Sequence, residues 1–439
     1  MRFFILSLGC PKNTVESEGI RELLLAAGHS LSAAPHQADL LIVNTCAFID
    51  AARQESLEAL REFGEGKRPH QYLVAAGCMP ELYGAQMASM VPSLDGFIGT
   101  RRWSEVPDLV RTLEAAKGAT SPISLPGQAP PPSLTHPVPR RCPGLATAYV
   151  KIAEGCDAPC AFCTIPQIKG PFLSKPKEAI LAETGHLVDQ GVQEIILIAQ
   201  DTTAYGLDRG ERDALPTLIE EMVRSAPSLP WLRVMYTYPQ RITPSLVEVM
   251  SCHRQVVHYL DMPLQHAHPE VLRRMHRPRD TERVRSIIDQ LRAAMPDIAL
   301  RTSFIVGYPG ETEAEFSALL EFMEEQAFDR VGIFAYSQEE GTLAALLPDQ
   351  IPEQIKADRY RQAMELQQRI SLKRNRLFIG RQLEVLVEGV GDGISVGRSY
   401  RDAPEVDGMV IIDAELPVNE FASVRITEAL EYDLIGYPD

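Results

Sequence analysis

Residues 154–163 read EGCDAPCAFC and hold Cys156, Cys160 and Cys163 within eight positions. Thiolates clustered like this bind soft or borderline metals. A structural zinc site takes four ligands, and so does an ordinary electron-transfer iron–sulfur cluster. This stretch offers three, with no fourth close by. A second trio is spread over the first eighty residues: Cys10 in LGCPKN, Cys46 in VNTCAF and Cys78 in AAGC, 36 and 32 residues apart. His29 and His36 are the nearest histidines, and neither stands at the end of a strand-like run. Each trio is thus one ligand short of a closed site. Three thiolates on a four-iron cluster leave one iron open, and an open iron can hold a substrate or cofactor. Two other readings compete: single cysteines that end buried strands as small hydrophobes, and zinc completed by a distant fourth ligand.

The elements that must position these residues follow from the hydrophobic pattern. Over 1–117, FFILSLGC, ADLLIVNTC, QYLVAAGC and DGFIGT alternate with helical segments. Such a βα repeat predicts a parallel α/β domain. Cys10, Cys46 and Cys78 end its first, second and third strands. Parallel strands bring their C-terminal ends to one edge of the sheet, where open α/β folds place ligands. Residues 118–143 are dense in Pro and Ser and read as a linker. Over 144–370 six further strand candidates, TAYVKI, EIILIAQD, WLRVMYTY, HYLDMPLQ, IALRTSFIVGYP and RVGIFAYS, alternate with helices and predict a partial (βα)6 barrel. A long charged helix over 352–378 reads as a brace. The remainder, 371–439, carries five short strands broken by Gly and Asp and predicts a small antiparallel β-barrel of OB-like size. The fold class is α/β with this third, all-β unit.

Bulk properties narrow the function classes. The chain has 439 residues, 45% apolar and 23% charged, as in soluble multidomain proteins. No apolar run reaches bilayer-spanning length. FFILSL near the N-terminus is too short for an export signal and lacks a small-residue cleavage site. A cytoplasmic location is expected, with no membrane partner. There, clustered cysteines indicate metal or redox chemistry rather than disulfides. The net charge of −16 argues against a phosphate-gripping surface and for a basic partner.

The CxxxCxxC spacing follows directly on TAYVKI, and Phe162 precedes its last cysteine. In this it resembles the radical S-adenosylmethionine (SAM) enzymes, whose open iron chelates SAM and whose cluster supplies the electron that cleaves it. AQDTT (199–203), with Gln200 and Asp201, resembles the motif that holds the SAM amino group, although it departs from the usual GGE. SFIVGYPGE (303–311), with Gly307, Gly310 and Glu311, resembles the motif that lines adenine and ribose. Over nearly all its length the chain resembles the methylthiotransferases. These join a three-cysteine N-terminal domain, a radical SAM domain and a C-terminal TRAM domain. The resemblance implies a transferase that uses SAM and two [4Fe–4S] clusters. Cys156, Cys160 and Cys163 would hold the radical SAM cluster, and Cys10, Cys46 and Cys78 an auxiliary one. Phe162, Gln200, Asp201, Gly307, Gly310 and Glu311 would contact the cofactor. Cys142 and Cys252 match no motif and read as structural.

One branch of that family modifies a tRNA adenosine. The other, the RimO type, modifies the β-carbon of an aspartate in a small-subunit ribosomal protein, the twelfth in standard naming. GRSYRDAPEVDG (397–408) resembles the RimO-type tail. Residues 371–439 contain 7 Lys+Arg against 13 Asp+Glu, a net of −6, which suits a basic protein substrate better than tRNA. Asp402, Glu405 and Asp407 within that tail read, singly, as a solvated loop. The resemblance further implies two uses of SAM, as methyl donor to a sulfide and as source of a radical that takes hydrogen from the aspartate. Both open irons must then face one cavity. A reductant and a sulfur donor are needed, neither named by the sequence, and a monomer is the default. His258, His266, His268 and His276 read as hydrogen-bonded loop or core histidines. A non-catalytic iron–sulfur or zinc scaffold with an RNA-binding tail is the alternative from another class, and it needs a fourth ligand for each trio.

Overall fold

The computed structural model describes residues 1–116, 121–124, 140–142 and 144–439. The first sheet contains β1 (Arg2–Ser7), β2 (Ser30–Leu31), β3 (Leu40–Thr45), β4 (Tyr72–Gly77), β5 (Gly96–Gly99) and β6 (Ile123–Ser124). Their order is β2-β1-β3-β4-β5-β6, and every pair is parallel. All six residues of β3, LLIVNT, are buried, because helices cover both faces of the sheet. Helices Pro11–Ala26 and Val106–Ala115 pack one face around Phe3, Ile42 and Trp103. Helix Asp50–Gly66 packs the other through Leu57 and Leu60. Two details differ from the sequence expectation. The short edge strand β2 makes Cys46 and Cys78 follow the third and fourth strands in chain order, although β1, β3 and β4 remain spatial neighbours. Residues 123–124, read as linker, form β6 beside β5. The linker's 118–120, 125–139 and 143 lie outside the described residues.

The second sheet contains β7 (Thr147–Lys151), then, after a two-stranded antiparallel pair β8 (Ala153–Glu154) and β9 (Leu173–Ser174), β10 (Glu194–Ile198), β11 (Trp231–Val234), β12 (Val256–Asp261), β13 (Ala299–Val306) and β14 (Arg330–Ala335). The six long strands β7 and β10–β14 run parallel in sequential order, with β7 and β14 at the edges. This is the expected partial barrel. Its concave face carries Tyr149, Ile196, Trp231 and Tyr259, and Val15 from helix Pro11–Ala26 joins them. That helix lies against β7, so the first domain closes the barrel's open edge.

The third unit is a closed barrel of β15 (Gln382–Gly391), β16 (Ile394–Ser399), β17 (Val410–Ile412), β18 (Phe421–Ala429) and β19 (Leu434–Pro438), in the order β15-β16-β17-β19-β18. Its pairs are antiparallel apart from β17–β19. Helix Glu353–Arg376 braces it: Arg374 pairs with Asp329 at 3.0 Å, and Asn375 donates to the Leu430 carbonyl at 3.0 Å.

The GRSYRDAPEVDG segment corrects the solvated-loop expectation for two of its three acidic residues. Asp402 is buried and pairs with Arg330 at 2.5 Å. The Asp407 carboxylate accepts from the Tyr259 hydroxyl at 2.7 Å and faces Arg301 Nε at 3.3 Å. Glu405 alone is exposed. Two charges counted toward an outward acidic surface therefore neutralise arginines inside. Beside them, Glu194 sits fully buried between Arg233 and Arg398, each at 2.7 Å. The segment thus plugs the floor of the partial barrel with ion pairs.

Burial alone would raise the Glu194 carboxyl; Arg233 and Arg398 overcome this and hold it at about 2. A depressed carboxyl stabilises the folded state above its unfolded value of 4.5 and loses that contribution as pH falls through about 2. The shift corresponds to about 3 kcal/mol. Trp231 stacks edge-on against Phe421 of the third unit at 4.7 Å. Tryptophan fluorescence should therefore report release of that unit between pH 4.5 and 2. Glu194→Gln should flatten this acid transition; an unchanged transition would remove Glu194 from the account.

Candidate functional site

Adjacent strands deliver the first trio. Cys10 lies three residues beyond β1, Cys46 one beyond β3, and Cys78 one beyond β4. Register aligns Ser7 with Asn44, and Asn44 with Ala76, so the three loops leave the sheet side by side. Asn13, fully buried, ties them together. Its amide donates to the Leu8 carbonyl at 2.8 Å and the Thr45 carbonyl at 3.0 Å, and its Oδ1 is 3.9 Å from the Cys78 thiol. Ser56 brackets Cys46 by accepting from its N–H and donating to its carbonyl. Gly9 has φ +91°, and a Cβ there would stand 2.7 Å from Cys46 Cβ. Only glycine combines that backbone with that approach. Gly77, at φ +95°, plays the same part before Cys78.

The second trio sits on the loop between β8 and β9. The Cys156 N–H donates to the Gly170 carbonyl at 3.1 Å, and the Cys163 N–H to the Cys160 carbonyl at 3.2 Å. Arg277 Nη1 lies 3.7 Å from Cys160 Sγ, and its guanidinium stacks 4.1 Å over the Tyr238 ring. All eight cysteines are free thiols. Burial raises the thiols of Cys46, Cys78 and Cys156, and pushes Cys163 up to about 12. Thiolates there need a cation to offset the lost water. Among the described residues, no three His, Cys, Asp or Glu side chains converge on a single metal ion. A donor set of three thiols per site fits the thiolate ligation of an iron–sulfur cluster.

The two sites share one interface. Thr164, next to Cys163, faces the Phe48 carbonyl, two residues past Cys46, at 3.5 Å. Glu339 of the barrel accepts from the Asp50 N–H at 2.8 Å and pairs with Arg53 at 3.0 Å. Behind them lies a buried ion cluster. Glu16 of the first domain meets Lys169 at 2.6 Å and Lys151 at 3.1 Å, and accepts from Thr100 at 2.7 Å; Glu154 contacts both lysines. Lys12 is also buried here. Its ammonium sits 3.0 Å from the centroid of the Tyr236 ring, and burial lowers its pKa to about 8 against the pull of Cys10 and Asp261.

The remaining sequence-predicted residues take distinct positions around the barrel mouth. Gln200, two residues beyond β10, has a buried Oε1 with no hydrogen-bond partner, as expected of a group awaiting a ligand. Asp201 is already engaged: it accepts from Thr203 and the Ala204 N–H and pairs with Arg241. Phe162 packs near Tyr308 and Tyr336. Gly307 and Gly310 shape the turn after β13, where Gly307 abuts Lys356. The Glu311 carboxylate is turned into the protein, bonded to His266 at 2.9 Å, the Gly307 N–H at 2.6 Å and Arg359 at 2.6 Å. It holds the turn. His258 pairs with Asp297, and His268 caps helix Pro269–Arg274. Sequence reasoning did not single out Asn13, Lys12, Glu16 or Arg277. For the first three the signal was their proximity to Cys10; for Arg277 there was none. A further signal was the Gly–Cys pair that recurs at Cys10, Cys78 and Cys156.

Comparison with known proteins agrees with this architecture. Residues 2–99 match an uncharacterized protein family, UPF0004; residues 150–323 match the radical SAM superfamily; residues 379–438 match the TRAM domain. Proteins named ribosomal protein uS12 methylthiotransferase RimO are similar throughout. That of Roseiflexus sp. (strain RS-1) is 51% identical over 99% of this chain and 97% of its own. That of Chloroflexus aurantiacus is 48% identical over 99% of each. Among solved structures, the radical S-adenosylmethionine methyltransferase TsrM from Kitasatospora setae shares the fold, with a TM-score of 0.61 at 12% identity over 90% of this chain and 80% of that one. Three cysteine-bearing strand ends, a partial barrel with a CxxxCxxC loop, a closed C-terminal barrel and full-length similarity lead to one conclusion: the chain belongs to the RimO-type methylthiotransferases, a family of radical SAM enzymes.

Proposed function

We propose that this enzyme attaches a methylthio group to the β-carbon of an aspartate in ribosomal protein uS12. The observation that supports this most directly is the common interface of the two cysteine trios, bridged by Thr164 and Phe48. In this reading Cys156, Cys160 and Cys163 hold the radical SAM [4Fe–4S] cluster, and Cys10, Cys46 and Cys78 a second one. When bound, the clusters and SAM supply the methylated sulfur and the hydrogen-abstracting radical.

The protein's own side chains bind, orient and exclude water. Gln200 offers its free carbonyl oxygen to the SAM ammonium. Asp201 fixes Arg241, and Glu311 fixes the Gly307–Gly310 turn against the cofactor. Phe162, Tyr308 and Tyr336 keep water from the mouth, the two tyrosine rings meeting edge-on at 5.2 Å. Asn13 and Ser56 set the spacing of the first trio. The division into an N-terminal domain extended through β6, a radical SAM domain to about residue 370 and a TRAM domain from 371 follows the same reading. The enzyme acts as a cytoplasmic monomer, with reductant and sulfur donor supplied by other components. No described helix is long and apolar enough to cross a membrane.

The test is where the group goes. Anaerobically reconstituted enzyme receives SAM, reductant, sulfide, uS12 and unmodified tRNA together, and both substrates are read by mass spectrometry. A methylthio mass gain mapped to a uS12 aspartate is the expected result. A gain on a tRNA adenosine instead would overturn the substrate assignment while keeping the chemistry.

A further inference from the structure

We propose that Lys12 receives the side-chain carboxylate of the substrate aspartate in the gap between the two cysteine trios. The inference rests on the aspartate-directed function above and adds the group that recognises the target. Four other lysines are buried among the described residues, and each has a carboxylate. Lys151 meets Glu154, Lys169 meets Glu16, Lys175 meets Glu183, and Lys356 meets Glu353. Lys12, only 7% exposed, has none within ion-pair distance among the described residues. Its contact is the face of Tyr236. Cys10 is a thiol of the first trio, and the nearby carboxylates are occupied, Asp261 by Arg301 at 2.8 Å and by the Tyr236 N–H at 3.1 Å, and Glu154 by Lys151 and Lys169. A buried ammonium that lacks an anion is poised to accept one.

The surroundings favour a carboxylate from outside the chain. Tyr236 is held at φ +61°, a left-handed backbone that a tyrosine adopts only under constraint, and such strain gathers at working sites. Lys12 lies two residues from Cys10. Tyr236 lies two residues from Tyr238, whose ring carries the Arg277 guanidinium that reaches Cys160. A carboxylate on Lys12 would thus stand between the trios. In aspartate the β-carbon is bonded directly to that carboxylate, so fixing one fixes the other. Two other cations at the mouth are committed to carboxylates, Arg241 to Asp201 and Arg301 to Asp261 and Asp407, while Arg277 donates to the Pro263 carbonyl and reaches Cys160 of the second trio.

The test uses the holoenzyme with both clusters and a synthetic peptide spanning the modified aspartate, beside its asparagine counterpart. Wild-type enzyme is expected to bind the aspartyl peptide about 100-fold more tightly, because the neutral analogue leaves a buried charge unpaired. Lys12→Gln should shrink that preference to within about threefold. A carbodiimide that joins carboxylates to amines should link the bound peptide to Lys12 in the wild-type enzyme, as mapped by mass spectrometry. This second measurement decides the matter if Lys12→Gln fails to hold its clusters. Equal binding of the two peptides, an undiminished preference in Lys12→Gln, or a cross-link on another lysine with Lys12 untouched would overturn the proposal. Any of these alongside normal uS12 modification leaves the aspartate-directed function standing. Absence of both peptide binding and uS12 modification by the wild type would overturn that function and this inference together.

Discussion

Replacement of Cys10, Cys46 and Cys78 together by alanine is expected to leave SAM cleavage in place and abolish methylthio transfer. The two trios occupy separate elements, the first on strand ends β1, β3 and β4 and the second on the β8–β9 loop. Loss of one set of thiols removes no ligand from the other. Iron content should fall from about eight to about four per chain, as two four-iron clusters become one. The sheet itself should survive, because Asn13 and Ser56 clamp backbone carbonyls and N–H groups of these loops. Anaerobic iron analysis, deoxyadenosine release and mass spectrometry of uS12 read the three quantities. Transfer by the triple variant at the normal rate would sink the role given to the first trio.

The second large effect is expected at Glu16. This residue has no exposed side-chain surface and holds Lys151 and Lys169 across the junction of the first domain and the barrel. Glu16→Ala would leave two buried ammoniums on Glu154 alone. Breaking a buried ion pair by removing one partner costs about 3–5 kcal/mol, comparable with what holds one domain on another. The variant should keep both clusters but lose their alignment. SAM cleavage would then run without transfer, and hydrogen exchange would rise in helices Pro11–Ala26 and Ile165–Lys169. Tight coupling of cleavage to transfer in Glu16→Ala, with unchanged exchange, would show that the ion cluster does not set the docking.

Much of the scaffold was legible because its signals are local. The six parallel strands of the barrel and the five of the C-terminal unit each announce themselves as short apolar runs between turn residues. The convergence of Cys10, Cys46 and Cys78 follows from parallel topology alone, since strand ends share an edge whatever their separation in sequence. The fate of individual polar side chains was not legible. Asp402 and Asp407 look like loop residues because their arginine partners, Arg330 and Arg301, lie 72 and 106 positions away. Glu311 sits in a cofactor-like motif, but Arg359, 48 residues on, takes its carboxylate. Asp201 is likewise spent on Arg241. Long-range charge pairing leaves no periodicity to read, so sequence reasoning locates motifs better than it assigns the work done by each residue within them.

The plug formed by residues 397–408 makes the third unit inseparable from the second. The C-terminal barrel closes on itself and owns a core, which gives it the outline of a portable module. Yet Arg301 and Arg330, in the barrel wall, pair with its Asp407 and Asp402, Arg233 donates to its Tyr400 carbonyl, and Glu194 takes its Arg398. An enzyme shortened before β15 would leave Arg330 without Asp402, Arg301 with Asp261 alone, and Arg233 with Glu194 but without the Tyr400 carbonyl, and grafting another closed barrel onto the helix at 353–376 would not restore the lost acids. The unit of inheritance drawn by family boundaries and the unit of cooperative folding therefore differ here. Recombination between the ribosomal-protein and tRNA branches should succeed only at joints that carry the floor arginines and their acids together.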